Sequence, residues 1–184
     1  MKEDPPHDIE ICERLANNDS SILEVIWDMY ASDLLVFLIG ILRQRHEAED
    51  VLQEVFVGIA EKRSVVAKAE KLKPYLFRMA KNKALNRLAK MKRRKEWSNQ
   101  GLWLTEMPEN KEQKEVAENG VNEEIQYALS VLPEKQREVL VLKFFRKKKF
   151  QEISEILNVS ISTIASRYRY GCAKIKNLLK SAEL

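Results

Sequence analysis

The stretch Leu72–Lys95, LKPYLFRMAKNKALNRLAKMKRRK, reads as one helix with two opposed faces. At helical spacing Leu76, Phe77, Ala80, Ala84, Leu88 and Met91 share one side, and Tyr75, Arg78, Asn82, Asn86, Lys90 and Arg93 share the other. Pro74 is tolerated in a first turn, where its missing N–H costs nothing. From Arg78 to Lys95 nine Lys and Arg occur with no acidic residue between them. Solvated helices usually intersperse the two signs at i,i+4 spacing, so a run of one sign points to an anionic partner. Lys and Arg neutralise phosphates, Asn amides reach base edges, and a tyrosine ring stacks on an unpaired base, so the mixture suits nucleic acid. Arg87 turns toward the apolar side and calls for a buried carboxylate partner.

Upstream, Glu47 to Glu61 repeats apolar residues at Ala48, Val51, Leu52, Val55 and Phe56, with Glu47, Glu49, Asp50, Gln53 and Glu54 opposite. An acidic helix therefore precedes the basic one. Residues 62–71 between them lack a period and fit a loop or a frayed helix end. Ser21 to Leu42 reads as a helix almost wholly buried along its second half. A short helix from Asp8 to Ala16, with Ile9, Cys12 and Leu15 or Ala16 inward, follows a loose tail over residues 1–7.

Downstream, residues 96–122 contain Gly101, Pro108 and Gly120 with a mostly acidic second half, the composition of a linker. Asn122 suits the cap of a helix over residues 123–131. Pro133 starts another helix to about Phe145, with Val139, Leu140, Leu142 and Phe144 or Phe145 inward, and Arg146–Lys149 makes a basic turn. From Phe150 to Leu179 the spacing is that of a helix-turn-helix: Ile153, Ile156 and Leu157, then Asn158 and Val159 in the turn, Ser160 as cap, and Ile164, Tyr168, Cys172, Ile175 and Leu179. Outward on its second helix stand Ser162, Thr163, Ala165, Ser166, Arg169 and Tyr170, short donors and a cation of the kind presented to a major groove. The expected fold is all-α: two small helical domains, 8–95 and 123–184, joined by the 96–122 linker, the second a helix-turn-helix domain.

The totals agree with that division. The 184 residues are 45% apolar and 33% charged, and the net charge of +4 hides an acidic block, Glu106 to Glu124, between basic segments. Cys12 and Cys172 lie far apart, and the first residues show no signal pattern, which implies a reduced, cytoplasmic setting. The longest apolar run, Leu34 to Leu42, falls short of the roughly 20 residues that cross a bilayer, so no membrane insertion is expected. His7 and His46 are distant in sequence, no glycine-rich phosphate loop occurs, and the cysteines lack metal-ligand spacing. Neither an enzyme nor a cofactor or metal is expected.

Two ordered pairs of motifs carry a resemblance. AEDVLQEVF (Ala48 to Phe56) is followed by LFRMAKNKALNRL (Leu76 to Leu88). After the acidic linker, LPEKQREVLVLKFF (Leu132 to Phe145) runs into FQEISEILNVSISTIASR (Phe150 to Arg167). The set resembles the small bacterial RNA polymerase sigma factors of the extracytoplasmic-function class, over nearly the whole chain beyond tail and linker. The resemblance implies that the first domain binds core RNA polymerase and the melted non-template strand of the minus-ten promoter element, and that the second binds the minus-thirty-five element as duplex DNA. It assigns Asp50, Gln53 and Glu54 to the polymerase clamp, and Tyr75, Arg78, Lys81, Asn82, Asn86, Lys90 and Arg93 to the minus-ten strand. It makes residues 62–71 the loop that captures a flipped base, and an anti-sigma factor a common partner.

Departures from the family pattern are Tyr75 in place of a tryptophan, and Ala165 and Tyr170 at positions often basic in relatives. The run Arg146–Lys149 replaces a turn that is commonly acidic and glycine-containing, and is suited to added contacts with DNA backbone or the polymerase flap. The competing reading is a helix-turn-helix regulator that does not act as a sigma factor. It leaves the Asn and Tyr residues interleaved on the basic helix unexplained.

Overall fold

The computed structural model describes residues 8–99, 129 and 131–182. The 1–7 tail, most of the linker and most of the helix expected over 123–131 lie outside the described residues. Five helices make the first unit: α1 (Asp8–Ala16), α2 (Ile22–Leu42), α3 (Arg45–Glu61), the single turn α4 (Arg63–Val66) and α5 (Leu72–Asn99). The helical pattern of the basic segment thus runs past Lys95, to Asn99. In the second unit α6 (Glu134–Leu140) continues as one π-helical turn, Val141–Phe145, before α7 (Phe150–Leu157) and α8 (Ile161–Ala182).

Helix α2 is the organising element. Ile22, Ile26, Leu34, Phe37, Leu38, Ile41 and Leu42 are buried on it, and α3, α5 and α6 all pack against it. A helix apolar on several sides belongs in a core or a membrane. By length and composition alone α2 could cross a bilayer, but here nine of its residues are buried against the chain's own helices, and Trp27 stays partly exposed. It ends where Arg43 adopts a left-handed φ of 63° and its N–H closes on the Ile39 carbonyl at 2.8 Å. Phe37 and Phe77 meet at the centre with ring centroids 5.3 Å apart, fixing α5 to α2.

Helix α1 buries the expected Leu15 but exchanges Ile9 for Ile11. Ile11 and Leu15 are buried, Cys12 is half-buried, and Ile9 faces solvent at 73% exposure. Both apolar stripes were available on so short a helix; the docking of α1 against α2 and α4 selects the Ile11–Leu15 pair at i,i+4.

In the second unit α6 is enclosed between α2 and α8. Val139, Leu140, Val141 and Leu142 are consecutive and all buried, which requires neighbours on every side. Close approach explains two glycines: a Cβ on Gly171 of α8 would lie 2.9 Å from Leu140 Cδ1, and one on Gly40 of α2 would lie 2.7 Å from Val141 Cγ2. Arg137 and Glu138 are buried there as well, and Phe144 points outward at 55% exposure. Arg137 donates to the carbonyls of Leu129 and Leu132, and burial pushes its guanidinium down to about 10.

The turn between α7 and α8 follows the sequence reading. Asn158 takes a left-handed φ of 53°, and Ser154 Oγ donates to the Val159 carbonyl at 2.6 Å. Ser160 Oγ accepts the Thr163 N–H at 3.2 Å. Ser160→Ala is expected to cost about 1 kcal/mol of stability, read as a lowered urea midpoint with an unchanged slope.

Candidate nucleic-acid interface

Helix α5 positions the basic face because its other side is fixed in the core: Leu72, Leu76, Phe77, Ala80 and Ala84 are fully buried. Arg78, Asn82, Asn86, Lys90 and Arg93 are exposed along the opposite side. Tyr75 does not join them in the open. Its ring is half-buried against the core, since the first turn of α5 is enclosed on several sides, with Leu72, Pro74, Leu76 and Phe77 all buried around it. Lys81 is also half-buried. Its ammonium lies 2.8 Å from both carboxylate oxygens of Glu138, a residue 1% exposed on α6. Burial pushes the Glu138 carboxyl up, and Lys81 pulls it back.

The acidic face of α3 is next to this surface and is tied to it. Arg87 finds the carboxylates that its position on the wheel required: Nη1 is 2.7 Å from Glu47 Oε2, and Nη2 is 2.6 Å from Glu54 Oε1. Asp50 stands 3.5 Å away. The partners are not the buried ones expected, since Glu54 and Asp50 keep about half of their exposure and only Glu47 is mostly covered. The hydrogen bond that Arg87 donates to Glu54 raises the Arg87 pKa. Asp50, Gln53 and Glu54 all remain on the open side of α3, and Glu54 does double duty as the anchor of Arg87.

Residues 62–71 form α4 and a turn held against α1 and the chain before α2. Val66 is buried, Val65 is half-exposed, and Arg63 donates to the Asn18 carbonyl at 3.0 Å. Asp8 Oδ2 accepts the N–H of Leu72 at 3.1 Å and fixes where the loop re-enters α5.

On α8 Ser162, Arg169 and Tyr170 are exposed, and Thr163, Ala165 and Ser166 are half-buried. The Ser162 and Thr163 hydroxyls lie 2.9 and 2.8 Å from Ser160 Oγ, so the short donors gather at the helix N-terminus. The Arg169 guanidinium stacks 5.9 Å from the Tyr170 ring centroid. These two side chains form one cationic, aromatic patch beyond the hydroxyl cluster. The two surfaces, along α5 and along α8, belong to different units.

Sequence comparison falls on the same two units. The pattern described as Sigma-70 region 2 matches residues 26–94, and that described as Sigma-70, region 4 matches residues 128–177. The ECF RNA polymerase sigma factor SigM of Bacillus subtilis is 29% identical over 144 residues, covering 78% of this chain and 86% of that protein. SigW of the same organism, also an ECF RNA polymerase sigma factor, is 26% identical over 179 residues, 91% of this chain and 94% of its own. Among solved structures, the sigma factor RpoE of Bartonella quintana, in complex with the anti-sigma factor NepR, aligns with a TM-score of 0.65 at 22% identity, covering 85% of this chain and 96% of its own. CnrH in complex with the cytosolic domain of CnrY aligns at 0.68 and 18%, covering 95% and 97%. These structures share the fold. With both sigma-70 regions present in order, and relatives of this class matched over most of its length, the chain belongs to the sigma-70 family, in its extracytoplasmic-function class.

Proposed function

We propose that this chain binds core RNA polymerase, recognises promoter DNA through two separate surfaces and supports melting and initiation, acting in the cytoplasm. The observation that carries the reading is the pairing of the two sigma-70 regions with two outward faces of nucleic-acid character, on α5 and α8. In this reading Asp50, Gln53 and Glu54 contact the polymerase clamp. Arg78, Asn82, Asn86, Lys90 and Arg93 follow the non-template strand, with Tyr75 and Lys81 at the covered end of that face. Ser162, Thr163, Ala165, Ser166, Arg169 and Tyr170 lie in the major groove of the minus-thirty-five element. Flipping a base out of the stack costs a few kcal/mol, recovered by stacking and edge hydrogen bonds in the pocket that receives it. The binding steps ask no covalent chemistry of the side chains. The relatives' association with anti-sigma factors makes a protein of that kind a further partner.

Gel filtration with bacterial core polymerase tests the proposal. The chain should co-elute with core, and the complex should retain genomic fragments that neither component retains alone. Failure to co-elute, with specific duplex protected by the chain alone, would make it a helix-turn-helix regulator instead.

A further inference from the structure

Residues 62–71, between α3 and α5, are tied down by the start of the chain. Three attachments come from the segment 8–18. The Arg63 guanidinium donates to the Asn18 carbonyl at 3.0 Å, the Cys12 thiol donates to the Ala69 carbonyl at 3.9 Å, and Asp8 Oδ2 accepts the Leu72 N–H at 3.1 Å. Between the first two, Val66 is fully buried, whereas Ser64, Val65 and Lys68 stay exposed. The last attachment fixes where the chain enters α5. Leu72 opens that helix, and the N–H groups of a first helical turn have no partner within their own helix. Asp8 supplies one from 64 residues earlier in the sequence, and a carboxylate there also meets the positive end of the helix dipole. Its other oxygen, Oδ1, accepts the Tyr30 hydroxyl at 3.3 Å, so one side chain bridges α1, α2 and α5. Burial, and then the charge of Asp8, raise the Tyr30 pKa, which keeps that hydroxyl protonated as a donor.

We propose that Asp8 is a positioning residue for base capture: by bridging α1, α2 and the first turn of α5 it sets where residues 62–71 stand, and so which base they accept, without itself contacting nucleic acid. The proposal rests on the reading of that segment as the receiver of a flipped base. Both Asp8 oxygens are engaged by protein donors, and a carboxylate repels phosphate, so the side chain acts through what it holds. A recognition site works only when its groups are held to within about 0.5 Å by the contacts behind them. The segment has a single helical turn of its own, Arg63–Val66, so that precision comes from the elements to which it is tied.

The test uses the full-length chain bound to bacterial core polymerase and a pool of single-stranded DNA with a randomised central segment. Retained strands are sequenced, which gives the base preference at each position apart from the total yield. Asp8→Ala removes both hydrogen bonds. Asp8→Asn keeps an oxygen for the Leu72 N–H and offers its amide N–H to the Tyr30 hydroxyl oxygen. Ile41→Val, fully buried at the far end of α2, serves as a variant destabilised by a comparable amount with the bridge intact.

Asp8→Ala is expected to lower the preference at one position of the selected strands by about tenfold, within the usual discrimination of a read base. Co-elution with core and the salt dependence of total strand binding, which phosphate contacts along α5 set, should stay as in the wild type. Asp8→Asn and Ile41→Val should keep the wild-type preference. A preference unchanged in Asp8→Ala, with only the yield or the melting temperature lowered, would overturn the proposal and leave Asp8 a structural cap. Equal loss in Ile41→Val would overturn it as well, by tracing the effect to general destabilisation, and loss in Asp8→Asn would overturn the hydrogen-bonded bridge. A wild-type chain that co-elutes with core but enriches no base at any position would instead remove the capture reading on which the proposal stands.

Discussion

Replacing Asp50 and Gln53 together with alanine is expected to weaken binding to core polymerase by about a hundredfold or more, with no change in the unfolding midpoint. Truncating one member of a charged, hydrogen-bonded pair across an interface typically costs about 2–5 kcal/mol, and each 1.4 kcal/mol is about a factor of ten. Both side chains are exposed, and Asp50 is the most distant of the three carboxylates around Arg87, at 3.5 Å, so the fold loses little when they go. Glu54, the third candidate, is kept because its carboxylate holds Arg87 at 2.6 Å. Its removal would loosen α5 from α3 and confuse a lost contact with a moved helix. Fluorescence competition for core against a labelled wild-type chain gives the affinity. An unchanged value would remove the acidic face of α3 from the docking surface.

Phe77→Ala is expected to destabilise the first unit by about 3–5 kcal/mol, the range for deleting a buried aromatic ring. Phe77 is fully buried and tilted against Phe37 at 5.3 Å, and its loss leaves a cavity between the two longest helices of that unit. Against a total stability of about 5–15 kcal/mol, this is a large fraction. The melting temperature should fall by at least about 10 °C, since each kcal/mol is worth about 4–8 °C in a domain of this size. Asn82→Ala and Asn86→Ala, on the opposite face of the same helix, should leave the melting temperature within about 2 °C, because exposed substitutions usually stay within about 0.5 kcal/mol. The contrast separates what anchors α5 from what α5 presents. Equal destabilisation by all three variants would contradict the assignment of faces.

The sequence was most legible where a local rule acts alone. The bounds Asp8–Ala16, the left-handed Asn158 and the cap at Ser160 follow from short-range pattern and from what each residue's backbone tolerates. Arg87 was legible for a different reason: a cation on the apolar side of a helix must be neutralised, and the acidic helix that precedes α5 in sequence packs beside it. Where tertiary contact decides, periodicity is silent. Ile9 and Ile11 are both apolar, and only the position of the neighbouring helices chooses between them.

Arg137 and Glu138 look like surface residues because they are charged, yet the second half of α6 is enclosed on all sides. The Lys81–Glu138 pair joins positions 57 residues apart, so nothing near Lys81 announces that it is covered. The basic turn after Phe145 was visible as charge, but its attachment to Asp33 depends on how the two units close on each other. Tyr75 lost its place in the open because the first turn of α5 is enclosed, a burden that the helical wheel does not show.

Run-off transcription from a pool of genomic fragments, with bacterial core polymerase, the chain, and the Asp50→Ala, Gln53→Ala variant, decides whether the chain initiates. Transcripts with defined start sites that require the chain and fade with the variant are expected. Transcripts identical with and without the chain, from core that is active with another sigma factor, would contradict that role.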